Sequence, residues 1–341
     1  MYKTQGFIAV TAVLGYVLFQ FAIRIGVHRT TVFPHFPGPC RSLPGIEYGS
    51  EDVETLPDGQ AFISSGFKHN NKAAIFLFNF EQPDNPPIKL DIKGFPLGNL
   101  EPLGISIYVS DLGDIYLYVV NVKSPMNATI EKFQYDKAGL VHIKTLWDPN
   151  MGSINDIKVV GNDQFYYTNF NTFSTMIHDF WISNLWMKSV CFFNGKKSEV
   201  VVYGLRLANG INASPDGKHI ILAEMGERSL NVYTRNSDNS LTKTDQLYID
   251  CSPDNIDIDN TGDIWVGCFP SLTDLFPSPP SGAPVLKAQV LKFELQNGKL
   301  VNGKQILQDD RTTLKGSTIA VKYKEALLVG SHTNLAYCKL E

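Results

Sequence analysis

One pattern constrains this chain more than any other: a short, mostly polar triplet ending in Ile or Val, a tight turn, then β-branched and aromatic residues, met six times. The phrase runs Glu51-Asp52-Val53 before Gly59-Gln60-Ala61-Phe62-Ile63, Leu103-Gly104-Ile105 before Gly113-Asp114-Ile115-Tyr116-Leu117, and Asn155-Asp156-Ile157 before Asp163-Gln164-Phe165-Tyr166-Tyr167. It returns as Asn209-Gly210-Ile211 before Gly217-Lys218-His219-Ile220-Ile221, Asp254-Asn255-Ile256 before Gly262-Asp263-Ile264-Trp265-Val266, and Ser317-Thr318-Ile319 before Glu325-Ala326-Leu327-Leu328-Val329. From the Ile or Val to the turn the spacing is six residues in five units and eight in the second. Recurrence at about fifty residues, in units of short strands and Gly/Asp turns, predicts an all-β, six-bladed β-propeller with one blade per unit.

Because the triplet opens a strand at the same point of every blade, its side chains should meet near the central axis. Glu51, Asn155, Asn209, Asp254 and Asn255 bring side-chain oxygens from four separate units, with no His or Cys among them. Calcium is bound by carboxylate, amide and carbonyl oxygens, whereas zinc prefers nitrogen and sulfur, so the set points to Ca²⁺. Asp52 and Asp156 fall one residue further along, where a backbone carbonyl near Ile105 completes a second, deeper ion site. Asn and Asp are also ordinary turn formers; their coincidence of position in four units is what argues for metal.

At 341 residues and 43% hydrophobic content the chain can bury a large core, and its strand-rich repeats favour one all-β domain. Net charge is -4 with no basic block, which argues against a nucleic-acid partner. The start of the chain differs. Phe7 to Ile23 is an apolar run of seventeen residues, interrupted by Thr11 and Gln20 and closed by Arg24, at the short end for a membrane span. No small-x-small cleavage pattern follows it, so the reading is an uncleaved signal anchor, with a cleaved signal peptide as the alternative. The expected organisation is a tail (1–6), an anchor helix (7–25), a proline-rich stalk (26–44, containing Phe33-Pro34-His35-Phe36-Pro37-Gly38-Pro39) and the propeller (45–341).

Sequons at Asn127 and Asn212 are compatible with a propeller in the ER lumen or outside the cell. Cys40 lies just before the first repeat and Cys338 just after the last, and a bridge between them would lock the ring in an oxidising compartment. Cys268 reads as a small apolar strand residue, while Cys191 and Cys251 pair or stay free. From Phe173 to Trp186 the apolar spacing is closer to helical than to alternating, and Phe269 to Pro284 is a proline-rich rim loop.

Gly49-Ser50-Glu51-Asp52-Val53-Glu54, Ile154-Asn155-Asp156-Ile157, Ala208-Asn209-Gly210-Ile211-Asn212-Ala213-Ser214-Pro215-Asp216-Gly217-Lys218, Asp254-Asn255-Ile256 and Trp265-Val266-Gly267-Cys268 resemble the paraoxonase family of calcium-dependent lactonases and arylesterases. The resemblance runs from about Cys40 to Cys338. It implies two axial calcium ions, the first held by Glu51, Asn155, Asn209, Asp254 and Asn255, and the second by Asp52, the Ile105 backbone and Asp156. It also implies a Cys40–Cys338 disulfide, an uncleaved apolar N-terminus and a family sequon at Asn212.

One part of the family pattern is missing. Family hydrolases carry a histidine pair beside the catalytic calcium; the matching positions here are Leu103 and Val122, and neither accepts a proton. Two further pocket histidines are replaced, at Phe269 and Asn171. General-base catalysis typically contributes about 10²–10⁴-fold, so this loss points to binding rather than turnover. Candidate replacement bases are His69, His332, Glu51 and His178-Asp179. Membrane anchor and missing histidines together resemble the invertebrate paraoxonase-like proteins that assist maturation of degenerin/epithelial-class sodium channels, which implies a membrane-protein partner. The alternative is a calcium-dependent esterase or lactonase for apolar small molecules, its pocket lined by Leu103, Val122, Leu207 and Phe269.

Overall fold

Each repeated phrase folds as the first hairpin of an antiparallel sheet, because alternating apolar residues on both sides of a tight turn bury one face each way. The turn residue has a left-handed φ in every unit: Gly59, Gly113, Asp163, Gly217, Gly262 and, one residue ahead of the expected Glu325, Lys324. The computed structural model describes residues 2–67, 69, 72–123, 127–171, 188–273 and 286–341. Six sheets result, five of four strands and the second of five.

The innermost strands are Val53–Thr55, Pro102–Val109, Ser153–Gly161, Ala208–Ala213, Ser252–Ile258 and Ile319–Tyr323. Each touches the next and the sixth touches the first, so the sheets stand as six blades around an axis. Apolar clusters fill the wedges between blades; Tyr118, Phe165 and Tyr167, for example, are fully enclosed between the second and third. The sixth blade is built from both ends of the chain. Its outer strand Cys40–Leu43 pairs with Leu335–Lys339, and register places Cys40 opposite Cys338. A disulfide joins them, as the resemblance implied, across a sequence separation of 298 residues.

Cys268 departs from expectation. It is disulfide-bonded to Cys251, because register on the adjacent strand Asp263–Phe269 sets Cys268 beside Pro253, at the entry to the fifth inner strand. Cys191 is left free and buried. Asn212 also departs: it is buried in its inner strand, donating Nδ2 to the Ile256 carbonyl (2.8 Å) and accepting from the Ala213 amide (2.8 Å), which excludes a glycan on the folded chain. Asn127 is exposed and accepts a hydrogen bond from Trp147 Nε1.

The N-terminal helix, α1 (Tyr2–Arg24), is long and apolar enough to cross a membrane. Its end docks on one face of the ring. Ile25 is buried with Leu207, Met225, Phe269, Leu272 and Leu286, with Phe21 packed against the group. The Ile25 carbonyl accepts from the Leu272 amide (2.8 Å), Arg24 pairs with Glu227 (3.5 Å), and Arg29 pairs with Asp250 (3.1 Å). The proline-rich segment then runs down the outside of the fifth blade, where His35 and Gln308 exchange two backbone hydrogen bonds of 2.9 Å. The helical pattern at Phe173 to Trp186, with His178-Asp179, and most of the rim loop lie outside the described residues.

Candidate metal centre

Four inner strands are irregular at the same point. Register slips between Pro102 and Ile105, Ile154 and Ile157, Ala208 and Ile211, and Pro253 and Ile256, all at the repeated triplet. Such bulges leave residues out of the ladder and re-aim their side chains. Here they turn the polar triplets toward the axis. Glycines allow the blades to close up at this level: a Cβ on Gly210 would sit 2.5 Å from the Asp254 carbonyl oxygen and 2.6 Å from Asn255 Cα.

Freed backbone groups are taken up by side chains that bridge blades. Asp52 accepts from the amides of Val53 (2.8 Å) and, on the next blade, Ile105 (2.8 Å). Asp156 does the same with Ile157 (2.7 Å) and Ile211 (2.7 Å). Asn255 reaches from the fifth blade to the first, its Nδ2 donating to the backbone oxygen and Oε1 of Glu51, both at 3.1 Å. Asn209 Nδ2 lies 3.9 Å from Met225 Sδ, which places this set on the side where α1 docks.

The donor set fits a hard cation. Glu51 Oε2, Asn155 Oδ1, Asn209 Oδ1 and Asn255 Oδ1 are all buried acceptors without a hydrogen-bond partner among the described residues. Buried polar atoms ordinarily find partners, and four orphaned oxygens on the very residues expected to ligate are what an oxygen-binding ion would satisfy. Charge agrees. Burial and the nearby Asp254 and Asp52 push the Glu51 carboxyl well above its usual range, against the Asn255 hydrogen bond. Burial likewise raises Asp254 and Asp156, and it lifts Asp52 to about 7. A divalent cation would let these groups ionise together. Among the described residues no three Asp, Glu, His or Cys side chains form a metal cluster of that kind; the first set holds only two acids, and its other donors are amides.

The remaining candidates fall into different packing groups. Leu103 and Val122 are buried in the apolar cluster between the second and third blades. His332 stacks on Phe269, centroids 5.8 Å apart, in contact with the region where α1 docks. His69 packs against Tyr48 at 5.3 Å. Sequence reading missed a third polar level: Lys158 Nζ lies 3.2 Å from Glu54 Oε1 across the ring. The signal was partial: Glu54 and Lys158 each lie two residues past an axial carboxylate, Asp52 and Asp156, but their pairing forms only when the ring closes.

The sequence profile of the arylesterase family matches residues 34–340. The chain belongs to that family. Human serum paraoxonase/arylesterase 1 is similar at 35% identity over 320 residues, covering 88% of each chain. Chicken serum paraoxonase/arylesterase 2 is 34% identical over 317 residues, again 88% of each, and rat serum paraoxonase/lactonase 3 is 32% identical over 348 residues, 96% of each. Solved structures share the arylesterase-family architecture at lower identity: a luciferin-regenerating enzyme (TM-score 0.58, 12% identity, 89% of this chain and 95% of that one) and a regucalcin from Agrobacterium tumefaciens (0.57, 13%, 91% and 96%). At that identity they speak for the fold alone.

Proposed function

We propose that this arylesterase-family chain is a calcium-held propeller, anchored in the membrane by α1 and facing the ER lumen or cell exterior. In this reading it acts by binding, assisting the folding, assembly or trafficking of membrane proteins such as ion channels. The observation that carries the reading is the burial of Leu103 and Val122 in an apolar cluster, where a proton acceptor would be needed for the family's hydrolysis. Glu51, Asn155, Asn209, Asp254 and Asn255 would hold one calcium, and Asp52, Asp156 and the Ile105 carbonyl the other. Bound calcium supplies positive charge at the axis and Lewis acidity toward an ester carbonyl. The chain's own residues align the donors: bulges aim them, inter-blade hydrogen bonds from Ile105, Ile211 and Asn255 fix them, and Phe21 and Ile25 cover the adjoining rim. Lumenal or extracellular placement is supported by two disulfides.

A second reading, a calcium-dependent esterase or lactonase with a rearranged base, is favoured by His332 on Phe269 and by the activities that the relatives' names carry. One experiment separates the two. The purified full chain is offered lactones and aryl esters with calcium, with chelator, and as Glu51→Gln, while a calcium-dependent rise in melting temperature reports on folding. The binding role predicts that melting responds to calcium, that no ester turns over, and that a membrane protein co-purifies. Calcium-dependent turnover, lost in Glu51→Gln and in His332→Gln with the fold intact, refutes it.

A further inference from the structure

Just past the donor sets along their strands, Glu54 of the first blade, Lys158 of the third and Asp257 of the fifth come together in the interior. The Lys158 ammonium lies 3.2 Å from Glu54 Oε1, a pair formed between blades that are not neighbours, with side chains only 19% and 14% exposed. Asp257, itself buried, acts on the same ammonium, as does Asp156 above it. One interior carboxylate thus pairs directly with the interior ammonium, and a second, from another blade, lies near enough to act on it by charge. The chain's own positive charge stands where a descending metal ion would next find carboxylate oxygens.

We propose that Lys158 is a built-in cation that stops the shaft: it neutralises Glu54 and Asp257 and repels any metal ion moving past Asp52 and Asp156, so cations enter and leave only on the side where α1 docks. The inference rests on the calcium reading for the two levels above. Without the ammonium, Glu54 and Asp257 become a stepping stone for a divalent ion. With it, the lower route is closed by like charge at short range in a low-dielectric interior.

The test uses the full chain in detergent and two variants, Lys158→Met, which keeps length and removes charge, and the triple variant Glu54→Gln/Lys158→Met/Asp257→Asn. Bound calcium is counted by elemental analysis, and release of terbium(III), a luminescent calcium surrogate, is followed after excess chelator. Lys158→Met is expected to bind one more calcium than wild type and to release terbium on the order of tenfold faster, and the triple variant to return both values to wild type. Wild-type stoichiometry and release rate in folded Lys158→Met overturn the proposal. If wild type takes up no calcium, the calcium reading fails, and Lys158 is judged by melting in chelator: Lys158→Met falls by about 5–8 °C and the triple variant recovers. Equal melting of wild type and Lys158→Met, or failure of the triple variant to fold, also overturns it.

Discussion

Gly210 is where the closeness of the blades can be measured. It lies in the fourth inner strand, and an added Cβ would meet three atoms of the fifth: the Asp254 carbonyl oxygen at 2.5 Å, Asn255 Cα at 2.6 Å and Ile256 N at 3.0 Å. All three are backbone, so no side chain can swing aside. Overpacking of this kind costs about 1–3 kcal/mol, and the rigid partners place Gly210→Ala near the top of that range. Against it stands a gain of about 0.4–1 kcal/mol from the stiffer unfolded chain. The net loss is about 2 kcal/mol, or a fall in melting temperature of about 3 °C for a propeller of about 300 residues. Gly152→Ala is the control, since its nearest contact would be Asn169 Oδ1 at 3.7 Å, ordinary van der Waals distance. Thermal melts of both variants by near-ultraviolet circular dichroism decide the matter. A Gly210→Ala chain that melts at or above wild type refutes the close-approach argument, as does an equal loss in Gly152→Ala.

Thiol titration of the denatured, unreduced protein should find one thiol among five cysteines, that of Cys191. Replacing both Cys251 and Cys268 by Ser should cost about 3 kcal/mol by loop entropy for a closure this short, read as a lower denaturation midpoint. Burial would raise the Asp163 carboxyl, but hydrogen bonds from Lys144, Lys132 and Tyr118 outweigh it and hold the group below its ordinary value. Its ionised form therefore stabilises fully above about pH 4, and that contribution is lost as pH falls through the depressed pKa. Asp163→Asn should flatten acid unfolding below pH 4 while lowering stability at pH 7; an unchanged acid limb counts against it. In a secretory host, Asn127→Gln should remove a glycosidase-sensitive mobility shift and Asn212→Gln should leave it, because Asn212 is enclosed; the reverse result would contradict the burial.

The six-fold phrase was enough to read the blades, their order and their first hairpins, since strand alternation and turn chemistry are local and each unit repeats them. Residues at the same place in each repeat must reach the same radius, so Glu51, Asp52, Asn155, Asp156, Asn209, Asp254 and Asn255 could be named as axial before any coordinates. Position along a repeat says nothing about how strands from different blades approach one another. The fit of Gly210 against Asp254, the bridge from Asn255 to Glu51, and the ion pair of Lys158 with Glu54 all join residues separated by tens to hundreds of positions. The Cys251–Cys268 disulfide, the enclosure of Asn212 and the docking of Ile25 on the rim belong to the same class. Their distances arise only when the ring closes, and it is closure, through contacts no local pattern encodes, that decides which of the polar residues share the axis as partners.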